Sequence, residues 1–103
     1  MRVELLWWEG CPSHPEALRQ LREVLADEGL DPEIVELRQI VSDEQAERER
    51  FLGSPTILVD GRDVAPVDGQ PVGLACRVYR LRDGRPSPTP DREDVRKAIR
   101  SAL

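Results

Sequence analysis

The sequence holds one histidine and only two cysteines. A single histidine cannot build a cluster of imidazole ligands, so no metal centre of that kind is expected. No apolar run approaches the ~20 residues that span a bilayer. The opening Met1-Arg2-Val3-Glu4-Leu5-Leu6-Trp7-Trp8 is too short, and too soon interrupted by charge, for a signal peptide. The expected compartment is the cytoplasm. There the two cysteines are expected to rest reduced rather than to form a structural disulfide. Basic charge is also scarce: 15 Lys+Arg stand against 20 Asp+Glu, a formal net charge of -5. That argues against a nucleic-acid binder, which needs a basic face to neutralise phosphates. It gives no attraction to an anionic membrane either. There is no internal repeat and no long linker, and residues 1–103 are expected to form one domain.

Hydrophobic periodicity orders the chain. Residues 2–8 are β-prone and apolar on both alternating sets, with only Glu4 breaking the pattern, which predicts a central strand covered on both faces. Gly10 and Pro12 end it. A helix follows, with Ser13 and Glu16 as a capping box, Pro15 in the first turn and Gly29 as the stop. Glu33 to Arg38 alternates charge with apolar residues, as a strand near an edge does. Ser42 and Gln45 form a second capping box before a short peripheral helix. Thr56 to Val59 reads as a strand, and Asp60-Gly61 as a hairpin turn. Residues 63–75 read as a Pro- and Gly-rich loop, and Arg77 to Leu81 as the returning strand. A last helix begins near Asp91, with Val95, Ala98, Ile99 and Ala102 as its apolar stripe. The expected order is β-α-β-α-β-β-α: an α/β fold with a mixed four-stranded sheet and helices on both faces.

The chemistry gathers at Trp8-Glu9-Gly10-Cys11-Pro12-Ser13-His14, which puts a cysteine at the join between strand and helix. A thiol just before a helix N-terminus faces unpaired backbone N–H groups and the positive end of the helix dipole, and both favour thiolate. Thiolate is the nucleophile and the soft-metal ligand. A dithiol site of the usual spacing would carry a second cysteine three positions on, where His14 stands.

This order resembles the thioredoxin-like superfamily over essentially the whole chain. Two motifs carry the resemblance: Trp8-x-x-Cys11-x-x-His14 at the redox position, and Gly53-Ser54-Pro55-Thr56 at the position of the cis-proline loop. The chain is also similar to a group of small bacterial proteins labelled thioredoxin family or alkylmercury lyase-like, through Glu9 to His14, Gly53 to Thr56 and Cys76-Arg77-Val78-Tyr79. It departs from true organomercurial lyases, whose two-cysteine-plus-aspartate arrangement is not seen at recognisable spacing. The resemblance implies that Pro55 is cis and lies against Cys11. It also implies that the backbone of Ser54 pairs with an extended substrate as an added strand would.

The candidate catalytic residues are Cys11 and His14, with Trp8, Pro12, Ser54, Pro55 and Thr56 as candidate substrate contacts. Each has a plainer alternative. Cys11 can be a small buried hydrophobe. His14 can tune the thiolate as imidazolium or be an ordinary first-turn residue. Trp7 and Trp8 point to opposite faces, and core packing accounts for both. Arg77, Tyr79 and Arg80 can line the site or be solvent-facing strand residues. Cys76 is a possible second thiol. If residues 76–81 pair antiparallel with the Thr56 strand, Cys76 lies at the far end, roughly 15 Å from Cys11 at ~3.3 Å per residue. A disulfide needs Cα atoms within ~7 Å, so Cys76 is expected in the core unless the loop 63–75 carries it elsewhere.

Three functions follow as expectations. The first is a monothiol redox protein in which Cys11 forms mixed disulfides with a protein or small-molecule thiol, completed by an external thiol and needing no cofactor. The second is a carrier of soft metals or thiophilic ligands, with Cys11 helped by Cys76 or by a dimer. The third is a non-catalytic adaptor that holds peptides along Ser54-Pro55-Thr56.

Overall fold

The computed structural model describes residues 1–103. Its elements are β1 (Val3–Trp7), α1 (His14–Asp27), a 3-10 turn at Pro32–Ile34, β2 (Val35–Gln39), α2 (Asp43–Glu49), β3 (Thr56–Val59), β4 (Arg62–Asp63), β5 (Tyr79–Arg80), β6 (Pro86–Ser87) and α3 (Arg92–Ser101). A mixed four-stranded sheet runs in the order β2-β1-β3-β4. β1 pairs parallel with β2 (Val3 opposite Val35) and antiparallel with β3 (Leu5 opposite Ile57). A helix joins β1 to β2, so the parallel pairing follows from the crossover. No helix is long and apolar enough to cross a membrane.

Helices cover both faces, as the alternation along β1 requires. Val3 and Leu5 point to one face, where they pack with Ile57 and Val59 against Leu21, Val24 and Leu25 of α1 and Val95 and Ile99 of α3. Leu6 points to the other, into a smaller cluster with Ile40, Ala46 of α2 and Phe51. Trp7 joins the first cluster and Trp8 the second, both half-buried. Glu4, the one charge in β1, is buried and bonded at 2.6 Å to Arg38, which also binds Glu49. A buried carboxylate is tolerated only when paired in this way.

The caps explain the helix boundaries. Ser42 Oγ accepts from Gln45 N at 3.1 Å at the start of α2. Asp91 accepts from Glu93 N at the start of α3 and from Arg82 N, both at 2.9 Å. Those two backbone donors hold its carboxyl below the usual range. The expected capping box of α1 does not form. Ser13 has helical backbone angles and its side chain makes no capping bond.

The fourth strand differs from expectation. It is Arg62–Asp63, not Arg77 to Leu81. Asp60 (φ 51°) and Gly61 (φ 80°) both adopt the left-handed conformation, which makes a two-residue hairpin turn. The partner of β3 therefore begins at once, and Val59 pairs with Arg62. Tyr79–Arg80 instead pairs with Pro86–Ser87 in a separate two-stranded ribbon.

Candidate functional site

The displaced strand changes where Cys76 lies. Freed from the sheet, the segment after residue 63 returns to the C-terminal end of β1, and Ser54 meets Cys76 in an isolated parallel bridge. Ser54 N donates to Ala75 O at 2.8 Å, and Arg77 N donates to Ser54 O at 2.9 Å. Cys11 and Cys76 form a disulfide, with Cα atoms 5.4 Å apart and a sequence separation of 65. The expectations of a distant Cys76, of a lone thiol and of two unpaired cysteines are all corrected here. The distance argument failed because it assumed that residues 76–81 extended the sheet.

Cys11 is 1% exposed, whereas Cys76 is an exposed residue. The turn that delivers Cys11 is closed by Cys11 N donating to Trp8 O at 3.1 Å. Around its sulfur stand Ser13 Oγ and Ser54 O, each at 3.5 Å. The Ser13 side chain that leaves the helix terminus uncapped is thus turned toward the sulfur, a role its sequence position did not announce.

His14 does not bond to that sulfur. Its ring stacks on Trp7, centroids 4.2 Å apart and 19° between planes, with Nδ1 buried and without a hydrogen-bond partner. Stacking on Trp7, rather than a bond to Cys11, orients the His14 ring.

Ser54, Pro55 and Thr56 are buried, and the Ser54–Pro55 bond is cis. Ser54 has no free backbone group, because Ala75 and Arg77 hold both, and its Oγ accepts from Trp8 N at 3.0 Å. The edge expected to receive a substrate strand is filled by the chain itself. Of the expected contact residues, Pro12 is exposed and Trp8 half-buried, its indole lying where a side chain on Gly10 would begin.

Arg77 and Tyr79 are both buried, and Val78 between them is 69% exposed. This reverses the expected solvent-facing alternation. The Tyr79 hydroxyl donates to Pro55 O, and the Arg77 guanidinium carbon lies 4.4 Å above the ring. Burial pushes the Tyr79 phenol above its ordinary range. The sign follows: above about pH 10 the unfolded chain releases this proton and the folded chain keeps it, so stability falls as pH rises. We expect denaturation midpoints to begin falling near pH ~10 and to fall steeply above it, and Tyr79→Phe to flatten that slope. Phenolate absorbance reads this tyrosine alone, since the chain has no other. A normal titration in the folded state would refute the expectation. No family model, no curated protein and no solved structure matches this chain.

Proposed function

We propose that this chain is a thiol–disulfide exchange protein of thioredoxin-like type, working in the cytoplasm, with Cys11 and Cys76 as its redox pair. The observation that carries this reading is the pairing itself: a buried cysteine at a helix start joined to an exposed one, Cα atoms 5.4 Å apart. The monothiol scheme gives way, because the resolving thiol is supplied by the same chain.

Exposure favours attack on Cys76. An external thiolate forms a bond to the Cys76 sulfur, the Cys11–Cys76 bond breaks, and Cys11 leaves with the electron pair. The Ser13 hydroxyl lies 3.5 Å from the Cys11 sulfur at the start of α1, placed to donate to the departing thiolate. A second external thiolate then attacks the mixed disulfide at its own sulfur. It leaves the protein as a dithiol and the external pair as a disulfide.

The soft-metal reading gains from the same pairing, since two adjacent thiolates suit a two-coordinate soft ion. No group of three or more His, Cys, Asp or Glu side chains stands ready to hold a metal. The adaptor reading loses support, because the Ser54 edge is already paired with residues 75–77.

The test treats the native protein with reduced glutathione, then quenches with acid and tags free thiols by mass. We expect both thiols to appear under conditions where the protein stays folded. With oxidised glutathione in place of reduced, Cys11→Ser should trap one glutathione on Cys76 and release the other as a thiol. A disulfide that resists excess thiol until the chain unfolds would make it a structural cross-link and end the proposal.

A further inference from the structure

Cys76 lies at the end of an irregular stretch, and in the dithiol form no covalent bond keeps it near Cys11. What remains is the backbone pairing of Ser54 with residues 75–77 and the side chain of Arg77, one residue on, whose Cα is ~3.8 Å from that of Cys76. The Arg77 side chain is 1% exposed, yet it carries a full charge. Its guanidinium donates to both carboxylate oxygens of Asp63, at 2.6 and 3.3 Å, to Ala65 O at 2.6 Å and to Thr56 Oγ1 at 3.2 Å. Its Cβ and backbone lie 3.0 to 3.1 Å from where a side chain on Gly53 would begin, and Gly53 has φ 124°, so crowding and backbone both favour glycine there. Asp63 belongs to β4 and Thr56 to β3, so the fork anchors the loop to the sheet. Such fork geometry is specific to arginine.

We propose that Arg77 is the positioning residue of the redox pair. Its buried ion pair with Asp63 holds Cys76 beside Cys11 when the two are reduced. The inference rests on the exchange reading above. With glutathione disulfide as oxidant, the exposed Cys76 thiolate attacks one sulfur, forming a Cys76–glutathione disulfide and releasing one glutathione thiolate. The Cys11 thiolate then attacks the Cys76 sulfur, closes the protein disulfide and releases the second. Two electrons pass to the oxidant, and the two thiol protons end on the two glutathiones. Arg77 acts on the second step, which is intramolecular only while Cys76 is held in reach.

The experiment equilibrates wild type, Arg77→Gln and Asp63→Asn in buffers of reduced and oxidised glutathione. It measures the closed, mixed-disulfide and open fractions, and the melting temperature of each dithiol form. We expect both variants to lower the closure constant at least tenfold and to accumulate the Cys76–glutathione adduct. Asp63→Asn keeps the arginine side chain, so it carries the test if Arg77→Gln does not fold. A lower melting temperature with an unchanged closure constant would overturn the positioning role while leaving the exchange reading intact. A wild type that never exchanges with glutathione would instead defeat the exchange reading, and the inference with it.

Discussion

Cys76→Ser is expected to lower the unfolding free energy by about 4 kcal/mol. The bond joins residues 65 apart, so it removes a large share of the conformations open to the unfolded chain. A loop of that length falls between the ~3 kcal/mol of a short loop and the ~4.7 kcal/mol of a hundred-residue one. Cys76 is exposed, so serine there costs little by itself. Cys11→Ser would add the burial of a hydroxyl at a 1% exposed position and is the less clean variant. The measurement is chemical denaturation with and without dithiothreitol. Oxidised wild type should unfold last, and reduced wild type should coincide with Cys76→Ser. Coincidence of the oxidised and reduced curves would show that the bond adds nothing to folding. Against a typical total of 5–15 kcal/mol, a loss of this size leaves the reduced protein marginal.

Phe51→Ala is expected to cost about 3–5 kcal/mol, as large-to-small changes at buried aromatics do. Phe51 is fully buried, and it is the only phenylalanine in the chain. It anchors the smaller cluster, which has only Leu6, Ile40 and Ala46 as further buried members, so few neighbours can close over a cavity. Its backbone works too. Phe51 N donates to Ala46 O at 2.8 Å at the end of α2, and Phe51 O accepts from Gly73 N at 3.0 Å. Val72 and Leu74 rest on the same cluster. The variant should therefore loosen the approach to Cys76 as well as the core. Urea unfolding of the reduced protein gives the stability cost. A loss below about 1 kcal/mol would mean that the cluster repacks and that the account of this face is wrong.

The parts of the fold that the sequence made legible are those set by neighbours along the chain. Strand β3 has the bounds read from its composition, Thr56 to Val59. Ser42 and Gln45 mark the start of α2, and Asp91 the start of α3, because a cap is a contact two or three residues long. The failures are contacts across the chain. A single parallel bridge from Ser54 to Cys76 has no periodicity to betray it. Arg77 looked like a surface residue because its partner, Asp63, lies across an irregular loop. Ser13 fitted a capping box by type and spacing, but its hydroxyl faces the Cys11 sulfur instead. For the cystine, only the presence of two cysteines was legible; their meeting depended on a short hairpin ending the sheet early.

The span of the cross-link has a consequence for a chain made from its N-terminus. Cys11 emerges with β1 and the start of α1, long before Cys76 exists to meet it. Ser54, which docks residues 75–77, is set in place by the pairing of β3 with β1. The docking site for Cys76 is thus complete only once the central strands have joined. A nascent or truncated chain that stops short of residue 76 would instead present an unpaired thiol at a helix start. That thiol would be open to whatever small disulfide it meets first.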